Sequence, residues 1–305
     1  NIGPYTLDNP LALAPMAGFS DAPFRRLCRR YGSAWAVTEM VSAHALALGD
    51  ERGIGIGAPY PGEPDLVIQL FASDPDEAAV AAALLQERYG PAAFDLNMGC
   101  PVKKVVHRGC GVELMGDPDL ARRIVASVRA ATGLPVSAKM RLGRDAHEVD
   151  EAARAAVEGG ASLIAVHGRT GTQKYAGEAD WRPIAELART LPVPVVGSGD
   201  VRDVAAFAAR RALGVGVMIA RGALGRPWIF SEVRGAPTPP WTEAAAVVLE
   251  HARLQADWYG EERGIRSLRG HLAHYVAPYP EAAHLRDRLV RADRLADVRA
   301  LLAST

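Results

Sequence analysis

A lone cysteine, Cys100, stands in the stretch DLNMGCPVKK (95–104), between a run with the composition of a strand and two lysines. A free cysteine has a pKa of about 8.5, so its thiol is mostly protonated at neutral pH and can donate a proton. Most lone cysteines are instead small buried hydrophobic residues. The stretch by itself leaves both interpretations open.

Three further side chains could form a ligand site, because they lie in or at the end of strand-like runs. Only four of the 35 basic residues are lysine, so Lys139, in an apolar run, is predicted to be an active-site donor. Lysine is suited to a site that needs a compact, movable donor. Gln69 both donates and accepts hydrogen bonds, which suits the edge of a heteroaromatic ring. His167 fits the same role or that of a buried core histidine.

Two glycine-rich turns, VVGSGD and MIARGALG, each lead towards a predicted helix. Exposed backbone N–H groups at a helix start bind phosphate, and (β/α)8 barrels commonly place a phosphate site after strands seven and eight. Ordinary turn glycines are the alternative for either turn alone. Together, and with an arginine available, the turns predict cofactor-phosphate contacts at Gly197, Ser198, Gly199, Asp200, Ala220, Arg221 and Gly222.

No other catalytic pattern competes with these groups. The sequence has no Ser/His/Asp order, no paired acids with a nucleophile, and no CxxC or Cys/His spacing typical of a metal site. The inventory therefore predicts a phosphorylated cofactor that is held by amide, lysine and histidine contacts, without a metal.

The elements that would position these groups alternate regularly. Eight short apolar runs are each followed by a segment with helical spacing, and several of these segments open with Asp or Pro and close with Gly. The alternation predicts an α/β fold, a (β/α)8 TIM barrel with its reactive groups at the carboxyl ends of the strands. An open doubly wound sheet is the competing fold, but no GxGxxG follows the first run. The predicted strands are 11–17, 35–40, 66–72, 93–99, 135–143, 162–169, 194–200 and 215–222.

A proline-rich segment, APTPPW, divides the chain. Beyond it, apolar residues recur with helical spacing only. We therefore predict a barrel domain over residues 1–235, a linker over 236–241 and a C-terminal all-helical bundle of about four helices over 242–305.

Charge and composition narrow the class of protein. The 305 residues include 35 basic and 35 acidic ones, so no global field attracts a polyanion and any nucleic-acid surface must be local. Three cysteines cannot form a disulfide framework, and neither an apolar membrane span nor a signal peptide is visible. A cytoplasmic protein without a membrane partner is expected.

Seven motifs in this order, APMAGFSDAPFRRL, TEM, QLF, NMGCP, KMRLG, VHGRT and GRPWIF, resemble those of the tRNA-dihydrouridine synthases, most closely the bacterial B-type branch. The resemblance is strong over residues 5–235 and weak in the helical tail. It implies an FMN-dependent reductase that converts a tRNA uridine to dihydrouridine, with NADPH restoring the flavin. The FMN contacts that it implies are Pro15, Met16, Ala17, Gln69, Lys139, His167, Ser198, Gly199, Asp200, Ala220 and Arg221.

The resemblance also assigns a role to Cys100. Hydride arriving from flavin N5 at uracil C6 leaves negative charge at C5, and Cys100 is expected to donate the proton there as a general acid. The residues expected near the uracil are Asn97, Lys139, Arg141 and Tyr175. Those expected along the RNA backbone, unless they form only a solvated charged face, are Lys103, Lys104, His107 and Arg108. The uridine must leave its stack to react, and the helical tail is the expected second wall for the tRNA.

The chain departs from the family pattern at several positions. Arg269, Gly270 and His271 stand where a basic pair before a histidine is common, Ser198 replaces asparagine, Ala220 replaces glycine and Cys110 replaces alanine. Two other functions remain open, namely a flavin barrel that acts on a free pyrimidine and an RNA-binding protein that has lost catalysis. A monomer is expected.

Overall fold

Eight parallel strands close into a barrel in the computed structural model, which describes residues 10–303. Neighbouring strands pair in chain order, and the last pairs with the first. The predicted (β/α)8 TIM barrel of the α/β class is therefore confirmed. The strands are β1 (Leu11–Leu13), β2 (Trp35–Ser42), β3 (Val67–Phe71), β4 (Ala93–Met98), β5 (Val136–Met140), β6 (Ala161–His167), β7 (Val195–Ser198) and β8 (Gly216–Ile219).

Alternate residues of each strand face opposite sides of the barrel wall, which explains why whole strands are apolar. Ala12 and Val67 belong to a cluster inside the barrel, whereas Leu13 and Ile68 pack outwards against the helices. Both faces are buried, so the sequence shows continuous apolar runs instead of alternation. A charged residue within such a run, such as Asp95, consequently needs a partner.

The helices around the barrel begin and end at the signals that the sequence carries. Aspartates accept hydrogen bonds from the first turns of four of them, at Asp21, Asp74, Asp117 and Asp203. Up to residue 240 the α-helices are α1 (Ala22–Arg30), α2 (Ala43–Ala47), α3 (Pro75–Tyr89), α4 (Lys103–Val106), α5 (Pro118–Thr132), α6 (Val149–Glu158), α7 (Arg182–Thr190), α8 (Val204–Arg211) and α9 (Ile229–Glu232). Short 3-10 helices cover Glu51–Gly57, Gly111–Gly116 and Arg221–Ala223.

The chain beyond residue 240 is helical, as predicted. It forms α10 (Trp241–Tyr259), α11 (Glu261–Tyr275), a 3-10 helix (Pro280–Leu285), α12 (Arg286–Leu289) and α13 (Leu295–Leu302). α10 begins at the last residue of the predicted linker. These helices share an apolar cluster that also takes in Leu27 of α1 and Trp228. The boundaries 1–235, 236–241 and 242–305 of separate domains stay a prediction.

Three chemical features of the described chain bear on function. Within residues 10–303, no helix combines the length and the apolar character that crossing a bilayer requires. The same residues include no group of three or more His, Cys, Asp or Glu side chains placed to share a metal ion. Cys28 and Cys110 are buried free thiols, whereas Cys100 is partly exposed.

Candidate active site

A cavity of about 640 Å³ opens at the carboxyl ends of the barrel strands. Its volume lies in the range of small-molecule and cofactor sites, roughly 300 to 1,000 Å³. Gly197 is buried in β7, and Lys104 and Arg108 are exposed on and after α4, outside the lining. The predicted residues that do line the cavity are Pro15, Met16, Ala17, Gln69, Asn97, Cys100, Lys103, Lys139, Arg141, His167, Tyr175, Ser198, Gly199, Asp200, Ala220, Arg221 and Gly222.

Cys100 and the glycine-rich loops lie across the cavity mouth from each other. Cys100 follows β4 and Ala220 follows β8, which is four strands away in a ring of eight. Asn97 holds the cysteine loop, because its Oδ1 accepts the N–H groups of Gly99 (3.2 Å) and Cys100 (3.0 Å). The N–H of Val112 donates to the carbonyl of Cys100 (3.2 Å). The loop is therefore fixed with Cys100 at the cavity and not sealed in the core.

A buried chain of hydrogen bonds supports the floor of the cavity. Gln69 Nε2 donates to Asp95 Oδ2 (2.7 Å), and Asn97 Nδ2 donates to Gln69 Oε1 (2.9 Å). Asp95 Oδ1 accepts a hydrogen bond from the Ser137 hydroxyl (2.5 Å). Strand register sets these contacts, because Gln69 pairs with Asp95 and Asn97 pairs with Lys139. These hydrogen bonds fix the orientation of the side-chain amides of Gln69 and Asn97.

Lys139 and Asp95 are buried charges of opposite sign, and each favours the ionised form of the other. Burial lowers the pKa of Lys139 to about 8, although the charge of Asp95 acts to raise it. Burial raises the pKa of Asp95 to about 6, against the hydrogen bonds from Gln69 and Ser137. Both side chains are therefore mostly ionised at pH 7. Asp95 is not among the site residues predicted from the sequence, although a carboxylate inside a buried strand is a signal that it needs a partner.

His167 is neutral. Burial, together with the charges of Lys139, Arg141 and other arginines, lowers its pKa to about 2. Arg169 Nη1 lies 3.3 Å from His167 Nε2. Because arginine can only donate, Nε2 accepts this hydrogen bond and the ring proton lies on Nδ1. His167 is thus an uncharged donor, as the ring edge of a cofactor would require.

Arg169 ties the loop after β6 to the loop after β7. Its guanidinium donates to the carbonyls of Ala176 (3.1 Å) and Gly177 (2.6 Å) and to Asp200 Oδ2 (2.6 Å). Asp200 also accepts the N–H of Ala179 (2.9 Å). Burial acts to raise the pKa of Asp200, but Arg169 and Ala179 hold it below its ordinary value. The carboxylate of Asp200 is therefore already hydrogen-bonded within the protein. The backbone N–H groups of this loop are the groups available to a ligand.

The loops after β7 and β8 present unpaired backbone donors. Among residues 10–303, the N–H groups of Gly199, Asp200 and Arg221 have no protein acceptor. The guanidinium of Arg221 lies 3.6 Å from Asp200 and remains accessible from the cavity. Concave turns with free N–H groups bind anions, so this corner can hold a phosphate.

The glycines of VVGSGD also have packing roles inside the protein. A methyl group at Gly197 would overlap the ring of Trp181, and one at Gly199 would collide with the side chain of Ala179. Trp181 Nε1 donates to the carbonyl of Gly199 (3.1 Å), so the indole braces the loop. Gly197 is therefore a structural glycine, whereas Gly199, with φ 127°, shapes the part of the loop that faces the cavity.

The cavity is strongly cationic, although the whole chain is neutral. Within residues 10–303, six lysine and arginine side chains line it, against one carboxylate, that of Asp200. Arg141 is fixed by three hydrogen bonds of 2.8 or 2.9 Å to backbone carbonyls. Lys174 and Arg202, which were not predicted from the sequence, line the cavity from the loops after β6 and β7. For Lys174 the scarcity of lysine was an available signal.

Tyr175 forms an exposed aromatic surface at the cavity mouth. Its side chain is 60% exposed. The guanidinium carbon of Arg221 lies 4.4 Å, and that of Arg141 5.8 Å, from the centre of its ring. Val102, which is 56% exposed, also lines the cavity. Aromatic side chains beside cationic groups suit stacking with unpaired bases.

The altered tail motif has a structural reason. Phe19, a cavity residue not predicted from the sequence, lies against α11 so closely that a methyl group at Gly270 would come 2.9 Å from its Cε1. Arg269 donates to the carbonyl of Ala292 (3.0 Å) and to Asp293 (2.6 Å). Position 270 is therefore packed against the cavity loop, and the neighbouring arginine is partly occupied within the bundle.

Solved structures share the barrel at low sequence identity. The old yellow enzyme homologue of Zymomonas mobilis has a TM-score of 0.52 and 14% identity, over 78% of this chain and 92% of that one. A 2-naphthoyl-CoA reductase in complex with 2-naphthoyl-CoA has a TM-score of 0.52 and 9% identity, over 77% and 48% of the two chains. These likenesses concern the fold alone.

Sequence relatives match almost the entire chain. The tRNA-dihydrouridine synthase B of Xanthomonas campestris pv. campestris is 39% identical, over 96% of this chain and 91% of that protein. The tRNA-dihydrouridine synthase B of Pseudomonas aeruginosa is 38% identical, over 99% and 93%. The family model described as dihydrouridine synthase matches residues 12–304. The predicted family of enzymes is confirmed: the chain belongs to the dihydrouridine synthases.

Proposed function

We propose that this chain reduces the C5=C6 bond of a uridine in tRNA, with FMN as its cofactor and NADPH as the reductant. One observation carries the proposal. A partly exposed thiol, Cys100, lies across a cavity of about 640 Å³ from loops with unpaired backbone donors. This arrangement leaves room for a phosphorylated cofactor on one side and a flat base beneath the thiol on the other. Membership of the family supports uridine as the base.

The lining residues fit FMN. The free N–H groups of Gly199 and Arg221, with the Arg221 guanidinium, would hold the phosphate. Lys139, protonated at pH 7, and the Nδ1–H of His167 would donate to acceptors of the ring. When bound, FMN supplies hydride from its N5 to C6 of the uracil. The proposed contacts are Pro15, Met16, Ala17, Gln69, Lys139, His167, Ser198, Gly199, Asp200, Ala220 and Arg221.

Cys100 would supply the second hydrogen. Its thiol gives a proton to C5, where hydride addition leaves negative charge, and the thiolate regains a proton from solvent at the cavity mouth. Lys139 and Arg141 line the same cavity as Cys100 and would contact the uracil. Asn97 and Tyr175 would complete the contacts to the uracil.

The cationic lining supports tRNA as the substrate. Extrusion of a stacked base costs a few kcal/mol, which contacts to the RNA backbone must offset. Lys103, Lys104 and Arg108 would supply backbone contacts, and Tyr175 offers a surface for stacking. The helical bundle after residue 241 would form the second wall of the tRNA site. We further propose that the protein acts as a monomer in the cytoplasm.

The test uses the full chain reconstituted with FMN. After incubation with NADPH and unmodified tRNA, mass spectrometry should show a gain of two hydrogens on one uridine. Cys100→Ala should retain FMN and tRNA affinity and lose most turnover, and wild-type turnover in this variant would remove the role of Cys100 as the acid. Failure to bind FMN would refute the cofactor assignment. Reduction of free uracil nucleotides but not of tRNA would favour the free-pyrimidine alternative.

A further inference from the structure

We infer that Gly270 and His271 of α11 are positioning residues for the cavity: they hold Phe19 in place, and through it the loop after β1. The inference rests on the proposed function only in taking FMN as the ligand that reports on this loop.

The loop after β1 is a compact turn between the cavity and the helical bundle. The carbonyl of Met16 accepts the N–H groups of Phe19 and Ser20, both at 2.9 Å. The Ser20 hydroxyl accepts the N–H of Met16 (2.8 Å), and Gly18 donates its N–H to the carboxylate of Glu39. Met16 and Phe19 both line the cavity. Because these hydrogen bonds connect the residues of the turn, a displacement of Phe19 also displaces Met16.

His271 holds Phe19 from the side away from the cavity. Its Nε2 lies 3.2 Å from the carbonyl of Phe19. The carbonyl can only accept, so this nitrogen carries the proton. The two rings meet edge-on, with centroids 5.2 Å apart. His271 also packs against the rings of Phe24 and His251, at centroid distances of 4.3 and 4.8 Å. Its orientation is therefore set by the interior of the molecule.

Gly270 provides the space that the Phe19 ring occupies. A methyl group at this position would lie 2.9 Å from Cε1 and 3.3 Å from Cζ, whereas ordinary contacts lie at 3.4 to 4 Å. The three nearest atoms all belong to Phe19. Alanine suits a helix interior better than glycine. A methyl group here consequently separates two effects, since it stabilises α11 while it pushes Phe19 towards the cavity.

The experiment is a double-mutant cycle on the full chain, with Gly270→Ala, Phe19→Ala and the double variant. We expect Gly270→Ala to weaken FMN binding about tenfold, because a displaced Met16 loses part of its contact with the cofactor. It should also speed amide exchange of residues 16–20 while the melting temperature stays equal or rises. With Phe19→Ala in place, the same change should leave FMN affinity and loop exchange unaltered.

A second pair of variants tests His271. His271→Gln retains an N–H donor, so the backbone amide hydrogens of residues 16–20 should exchange nearly as slowly as in the wild type. In His271→Leu, which lacks this donor, the same hydrogens should exchange faster. Unaltered loop exchange and FMN affinity in Gly270→Ala would overturn the inference. The inference would also be overturned if Gly270→Ala caused the same loss of FMN affinity with and without the Phe19 ring. A loss of FMN affinity that only accompanies a lower melting temperature would overturn it as well. If the wild-type chain binds no FMN, the proposed function fails, and the exchange rates alone then decide the role of Gly270 and His271.

Discussion

Replacement of Asp95 by asparagine should separate the charge of this residue from its hydrogen bonds. The asparagine oxygen can accept from Gln69, and the amide can donate to the Ser137 hydroxyl. That hydroxyl has a second acceptor in the carbonyl of Phe94, at 3.4 Å. The variant therefore keeps the hydrogen-bond chain under the cavity and removes the negative charge that favours protonated Lys139.

The magnitude follows from strand register. Lys139 pairs with Asn97, so Asp95 lies two positions away on the neighbouring strand. In parallel strands about 4.8 Å apart with a rise of about 3.3 Å per residue, the Cα atoms of such diagonal neighbours are about 8 Å apart, and we take this spacing for the two charges. Opposite unit charges at that distance, with an effective dielectric constant of about 20, attract each other by about 2 kcal/mol. This energy corresponds to about 1.5 pH units.

The assay is the FMN dissociation constant measured between about pH 6.5 and 9.5, where the phosphate, with a second pKa of about 6, stays mostly dianionic. Wild-type affinity should fall as pH rises through about 8, because Lys139 loses its proton there. In Asp95→Asn the fall should come about 1.5 pH units lower, by the same Coulomb arithmetic.

Two further variants serve as references. Lys139→Met should show weak affinity without this pH dependence. Asp287→Asn removes an exposed carboxylate on α12 and should follow the wild-type curve. A curve for Asp95→Asn that superimposes on the wild-type curve would refute the reasoning, as would a wild-type affinity that is constant over this pH range.

Three other predictions concern different parts of the molecule. Cys100→Ser should lower the rate of dihydrouridine formation at least about a hundredfold with FMN affinity unchanged, because a hydroxyl is a much weaker acid; a rate near wild type in the tRNA assay would contradict this. Arg221→Gln should weaken FMN binding but leave the binding of riboflavin, which lacks the phosphate, nearly unchanged; equal losses for the two flavins in a fluorescence titration would argue against a phosphate contact. Arg25→Met leaves the buried Glu63 carboxylate, 2.7 Å away, without its charged partner. It should lower the free energy of unfolding in urea by about 3 to 5 kcal/mol. Arg52→Met, at an exposed position, is the control. Similar urea midpoints for the two variants would contradict a stabilising role of the buried Arg25–Glu63 ion pair.

The sequence predicted those features that depend on local pattern and strand order. Lys139 and His167 could be assigned to one face because the carboxyl ends of all strands in a barrel meet there. The first strand was predicted to reach residue 17, but it ends at Leu13, because the next residues leave the ladder and form the cavity loop. Their apolar composition does not distinguish a strand from such a loop.

The long-range contacts could not be predicted from the sequence. The bond from Ser137 to Asp95 joins residues 42 positions apart, and that from His271 to Phe19 joins residues 252 positions apart. Neither contact leaves a periodic signal, since each depends on the register or docking of separate elements. The departure at Gly270 was visible in the sequence, but its cause, the ring of Phe19, was not.

The balanced charge of the chain has a directional consequence. Among the residues that the structure describes, six basic residues and one acidic residue line the cavity. Because the whole chain has 35 basic and 35 acidic residues, the part outside this lining carries an excess of negative charge. The net charge outside the lining therefore weakly repels a polyanion, whereas the cationic lining attracts one. At physiological salt these fields reach about 8 Å. An approaching RNA would thus be steered electrostatically towards the cavity mouth before contact, and non-specific complexes elsewhere on the surface would dissociate quickly.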